Sequence, residues 1–94
     1  MLASVNLVCR AGEIISPGTR WVEFEEMIDC GRFMLNRFIV KYWNEKASSQ
    51  FMNFVPGTLL VISGRLGNDD AGNTIVICEK VQFLSSKDVH LEIL

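Results

Sequence analysis

Asn44-Glu45-Lys46-Ala47-Ser48-Ser49-Gln50-Phe51-Met52-Asn53-Phe54-Val55-Pro56-Gly57 is the stretch that decides the fold. Over most of the chain, apolar residues recur at every second position, the period of a half-buried strand. Here the period lengthens. Ala47, Phe51, Phe54 and Val55 stand at i, i+4, i+7 and i+8, one face of a helix. Asn44 is a good N-cap, and Glu45 suits the positive end of the helix dipole. Pro56-Gly57 ends the segment.

Strands flank it on both sides. Val5, Leu7 and Cys9 alternate with Asn6, Val8 and Arg10 in a first strand that is predicted to end near Gly12. Ser16-Pro17-Gly18 is a turn signal. Thr19 to Ile28 is rich in aromatic and β-branched residues, with Val22, Phe24, Glu26 and Ile28 on one face and Trp21, Glu23 and Glu25 on the other. Asp29-Cys30-Gly31-Arg32 reads as a tight hairpin turn. Phe33 to Trp43 is a third strand, long enough to curl around a barrel. After the helix, Leu59 to Leu66 is a fourth strand, Gly67 to Gly72 a turn, and Asn73 to Leu84 a fifth. The segment Ser85 to Leu94 reads as a tail or an extra edge strand, because Val89, Leu91 and Ile93 alternate. Five strands with one helix between the third and fourth is the order of an OB-fold, a small Greek-key barrel. An SH3-like barrel lacks that helix, and a ferredoxin-like fold needs two long ones.

Composition sets limits. The chain has 94 residues, 49% of them hydrophobic, with nine Lys and Arg against eleven Asp and Glu. That length fits a single domain, 1–94, whose small core gains from oligomerisation. The slight acidity weighs against general nucleic-acid adhesion, which is normally basic. No apolar run reaches the ~20 residues of a membrane helix, so no membrane partner is expected. The start of the chain lacks the features of a secretory signal. Cys9, Cys30 and Cys78 are widely spaced, with no CxxC pair and one His, His90. They read as reduced, partly buried thiols of a cytosolic-type compartment, and no zinc site or other cofactor is expected. One terminal His assembles no catalytic triad, so no enzyme is expected. Asp69-Asp70-Ala71-Gly72 reads as a turn rather than a calcium loop, since no bidentate Glu closes it.

Four motifs in order give a family likeness. Val5-Asn6-Leu7-Val8-Cys9-Arg10-Ala11-Gly12 resembles "NLVGRAG", with Cys9 in place of Gly. Trp43-Asn44-Glu45-Lys46-Ala47 resembles "WGKxA". Gly57-Thr58-Leu59-Leu60-Val61-Ile62-Ser63-Gly64-Arg65-Leu66 is similar to "KGSLVxVxGRL". Gly72-Asn73 and Val81-Gln82-Phe83-Leu84 resemble "DGN…VQFL". These belong to bacterial single-stranded DNA-binding proteins, of the compact sort found in cyanobacteria and plastids. The resemblance runs from Ser4 to Leu84. It implies an OB-fold, a role in DNA replication, repair or recombination in the cytoplasm or plastid stroma, and pairing through the first strand into a dimer or tetramer. Departures are clear. The long hairpin that wraps DNA shrinks to Asp29–Arg32, the hairpin at Gly67–Gly72 is acidic and lacks its aromatic, and the linker and acidic tip that recruit repair proteins are not found.

The resemblance places DNA on the odd face of the third strand: Phe33, Leu35, Arg37, Ile39, Lys41 and Trp43. Trp43 falls at a stacking position, where it reads as a base platform or as a rim aromatic. Arg37 and Lys41 supply phosphate ligands or pair with Glu23 and Glu25. A three-residue turn at Cys30–Arg32 predicts Glu25 opposite Arg37 and Trp21 opposite Lys41, which neutralises the cations that phosphate needs. Trp21 reads as packing or as a second platform. Arg10 and Arg65, beside strand glycines, read as further phosphate ligands or as solvated surface. The expectation is weak, salt-sensitive, sequence-independent binding of single-stranded DNA. The alternative is a protein-interaction module that has lost DNA binding and uses Trp21, Phe33, Leu35, Ile39 and Trp43 as an apolar interface.

Overall fold

A computed structural model describes residues 4–86. Five strands are present among them: β1 (Val5–Ser16), β2 (Thr19–Asp29), β3 (Arg32–Tyr42), β4 (Leu59–Asn68) and β5 (Thr74–Ser85). A 3-10 turn (Glu45–Ala47) and one short helix, α1 (Ser49–Asn53), lie between β3 and β4. The strands close into a barrel in the order β1-β2-β3-β5-β4, all antiparallel except β3 with β5. This is the OB-fold order that the sequence predicts. The proposed extra strand over Val89–Ile93 lies outside the described residues.

One strand serves two neighbours. The first half of β1 pairs with β4, Val5↔Gly64 through Arg10↔Leu59, and the second half pairs with β2 from Arg10↔Glu23 to Ser16↔Thr19. The strand therefore does not end near Gly12 but bends there, at a register irregularity between Ala11 and Ile14. Gly12 makes the bend fit: a Cβ on it would lie 2.9 Å from the carbonyl oxygen of Trp21. The turn to β2 is Pro17-Gly18, with Gly18 at φ +78°.

The inward parity of the strands builds the core from Cys9, Val22, Val40, Ile62, Val76 and Cys78, with Phe51 of α1 plugging the barrel end. Phe51 stacks on Tyr42 at 5.6 Å between ring centroids. Asn44, predicted to cap the helix, caps the 3-10 turn instead, its Oδ1 accepting the Lys46 N–H at 3.1 Å. The predicted four-residue helical face shrinks to one residue. Ala47 and Val55 are exposed, and Phe54 is half-buried against Phe83. Five helical residues make little more than one turn, so α1 buries only Phe51 fully, with Met52 packed half-buried against the core.

Inside the barrel wall lies a residue that sequence reading did not single out. Arg20 sits on the inward face of β2 and is fully buried. Its guanidinium donates to the Gly12 carbonyl through Nε (3.2 Å) and Nη2 (2.6 Å), and to the Phe51 carbonyl through Nη1 (2.9 Å). No carboxylate pairs with it among the described residues. Carbonyl dipoles hold the charge, and burial pulls its pKa below the ordinary arginine value.

The cysteines are free, but they are not alike. Cys9 and Cys78 are buried in the core and Cys30 is exposed at the hairpin turn, a correction to three partly buried thiols. No cluster of three potential metal ligands occurs among the described residues, and no helix there is long and apolar enough to cross a membrane.

Candidate nucleic-acid interface

The β2–β3 hairpin outgrows the barrel. β2 leaves β1 beyond Glu23, and β3 touches β5 only at Val40–Tyr42. Among the described residues, the two strands therefore bond only to each other from Phe24 to Asp29 and Arg32 to Ile39, an arm built from strand rather than loop. Its turn is two residues, Cys30-Gly31, with Gly31 at φ +80° and the Asp29 carboxylate accepting the Cys30 N–H. A bulge at Ile28, between Met27↔Phe33 and Asp29↔Arg32, then resets the pairing.

The reset changes the predicted partners. Glu23, not Glu25, lies opposite Arg37; Trp21 faces Ile39, and Lys41 faces Thr19. The shift is by two residues, so Trp21, Glu23, Arg37 and Lys41 keep their predicted face but acquire new neighbours. Arg37 Nε lies 3.6 Å from Glu23 Oε1, and its guanidinium carbon stands 4.6 Å from the centre of the Trp21 ring. Glu25 lies beside Leu35. Glu26 and Ile28 do not point into a core, because this part of β2 has passed the barrel rim. Both are exposed, and Glu26 accepts a hydrogen bond from Asn36 at 2.9 Å.

Lys41 escapes the predicted neutralisation. It has no ion-pair partner among the described residues, and neither has Arg65. Only the tertiary fold brings these two together. Lys41 pairs with Ile77 on β5, and Ile77 pairs with Arg65 on β4, so one row crosses the sheet from Thr19 through Lys41 and Ile77 to Arg65. Nothing in the local sequence marks Ile77 as the link. Trp43 follows immediately after β3. Its N–H donates to the Cys78 carbonyl at 2.9 Å, while its side chain is 57% exposed. A pinned backbone under an open indole suits a stacking platform. Phe33 and Leu35, 63% and 57% exposed, carry the same face out along the arm.

Arg10 lies in the row of Glu23 and Arg37, and its Nη1 donates to the Gly57 carbonyl at 2.8 Å. The gap left where β2 peels from β1 forms a groove of about 320 Å³, bordered by Val8, Leu35 and Leu59, with Arg10, Glu23 and Glu25 along it.

The acidic hairpin tip is a turn. Gly67 and Asn68 belong to β4, a correction to the predicted start of the loop. The Asp69 carboxylate accepts the N–H groups of Ala71 and Asn73 and the Asn73 side chain. These bonds, led by the Asn73 backbone, hold its pKa below the usual carboxylate value.

The barrel and its short plug helix define the chain as an OB-fold protein. Solved structures of the mitochondrial single-stranded DNA binding protein Rim1 from S. cerevisiae share it. One crystal form matches with a TM-score of 0.63 and 12% identity, over 92% of this chain and 97% of that one. A second matches with a TM-score of 0.67 and 11% identity, over 92% and 98%. At these identities the likeness establishes the fold. The sequence matches no protein-family model and no curated protein.

Proposed function

We infer that the chain is a non-catalytic OB-fold module that binds single-stranded DNA weakly and without reading its sequence. The observation that carries this reading is the placement in one row of Lys41 and Arg65, two cations with no ion-pair partner among the described residues, with the exposed Trp43 indole just beyond it. Phosphates lie along the cations and a base stacks on the indole, the two elements of sequence-tolerant strand binding. The family resemblance in sequence and the names of the solved neighbours support the same ligand. The net charge of −2 keeps the affinity low and salt-sensitive.

Titration of oligo-dT against intrinsic tryptophan fluorescence at two salt concentrations tests it. Quenching that weakens with salt and is lost in Trp43→Ala supports strand binding. No quenching at micromolar protein and low salt refutes it. The second reading, a protein-interaction module, rests on the exposed Phe33, Leu35 and Trp43. Self-association is part of the proposal: among the described residues, β1 from Val5 to Cys9 pairs on one side only, with β4, and its other edge has no partner there.

A further inference from the structure

Glu23 occupies the centre of a charged row. Arg10 is its partner on β1 and Arg37 its partner on β3, so one carboxylate stands between two guanidinium groups on the same outer face. Arg10 is turned to the Gly57 carbonyl. Arg37 is held by Glu23 at 3.6 Å and lies across the Trp21 ring at 4.6 Å. In that position a single arginine covers one aromatic surface and has its own charge compensated. Both elements that a nucleic-acid strand uses, a ring face and a free cation, are occupied by each other.

Resting on the strand-binding reading, we propose that Glu23 sets the affinity of this face for single-stranded nucleic acid by clasping Arg37 over Trp21, so that a strand gains this part of the surface only by displacing Glu23 from Arg37. A phosphate replaces the carboxylate as the partner of Arg37, and the guanidinium leaves the ring for a base. The strand then extends from the Lys41–Arg65 row onto the arm. Without the displacement, binding is confined to that row and Trp43. The clasp is shallow: the Arg37 and Glu23 side chains are 46% and 36% exposed, so the exchange is within reach of a polyanion.

Two measurements on the full chain test this. The first needs no nucleic acid. In a Trp43→Phe background Trp21 is the only tryptophan, and its acrylamide quenching reports whether the ring is covered. Glu23→Gln should raise the quenching constant, and an unchanged constant overturns the clasp. The second is the anisotropy of fluorescein-labelled oligo-dT with Trp43 intact. Glu23→Gln should tighten binding by about 3- to 10-fold and steepen the log–log salt slope by about 0.7, one additional phosphate contact. Glu13→Gln makes the same charge change on exposed β1 and should gain less. Arg37→Met also uncovers Trp21 but should not tighten binding. Equal gains for Glu23→Gln and Glu13→Gln, or binding by Glu23→Gln no tighter than wild type, overturn the proposal while strand binding stands. No binding by wild type and Glu23→Gln at low salt overturns the strand-binding reading and this proposal with it.

Discussion

The Arg20 guanidinium donates a 2.9 Å hydrogen bond to the Phe51 carbonyl, tying the wall of the barrel to the helix that closes its end. The same group holds the Gly12 carbonyl at the bend of β1. Arg20→Met removes the donor and leaves both carbonyls without it in a dry site. The expected loss is about 2–4 kcal/mol of unfolding free energy, measured by urea titration. Arg20→Lys should recover little of it, because an ammonium lacks the planar fork that reaches both carbonyls. A loss near zero in Arg20→Met would show that the buried charge costs as much as its bonds return.

Gly64 is fixed by contact rather than by backbone angle. A Cβ there would run into the Ile77 carbonyl, where β4 and β5 cross the Ser63/Gly64 irregularity. Gly64→Ala should cost about 2 kcal/mol or more. Gly31 is the contrast: its φ is positive, but an added Cβ would meet no atom of the described residues within 4 Å beyond its chain neighbours. Gly31→Ala should cost only the left-handed strain of about 1–2 kcal/mol. Equal urea midpoints for Gly64→Ala and wild type would contradict the packing.

Burial raises the Cys9 and Cys78 thiols from 9.0 to about 12. The unfolded chain releases these protons from pH 9 upward, whereas the folded barrel keeps them. Their stabilising contribution is therefore complete below pH 9 and is lost as pH rises toward 12. Each thiol adds a slope of up to about −1.4 kcal/mol per pH unit within that window. Urea midpoints at pH 8, 9.5 and 10.5 should fall more steeply for wild type than for the Cys9→Ala, Cys78→Ala double variant. Parallel curves would show that the thiols are not the cause.

Lys41 and Arg65 should act alike despite lying 24 positions apart in sequence. Lys41→Gln and Arg65→Gln should each reduce the salt slope of oligo-dT binding by about 0.7. Trp43→Ala should weaken binding by about 1–3 kcal/mol with no change in slope. An Arg65→Gln slope equal to wild type would remove β4 from the path of the strand.

A β1 edge that has no partner among the described residues, beside an exposed Val8, predicts concentration-dependent self-association. Sedimentation should show it for wild type, and Val8→Lys should shift the chain toward monomer. A clean 10.6 kDa species at high wild-type concentration would count against the interface.

Local chemistry carried the strands and turns. Alternation marks each strand, and Pro17-Gly18 and Cys30-Gly31 mark the hairpins, because side-chain direction and backbone angle are set within a few residues. The helical segment is legible from its period and from Pro56-Gly57, but Asn44 caps the 3-10 turn rather than α1, and of the four apolar residues at helical spacing only Phe51 is fully buried. The role of Arg20 is not legible in the sequence for a different reason. A charge at an inward position is stable only where distant carbonyls turn toward it, and Gly12 and Phe51 lie 8 and 31 residues away.

The sequence by itself determined the element order, the OB-fold and the shared face of Trp21, Glu23, Arg37 and Lys41. Tertiary structure alone decided which charges meet. One bulge at Ile28 and a two-residue turn moved Arg37 from Glu25 to Glu23 and freed Lys41. A parallel contact with β5 then joined Lys41 through Ile77 to Arg65. Parity is a property of one strand and survives a two-residue shift. Partnership depends on register and on which strands become neighbours, and those are settled only when the barrel closes.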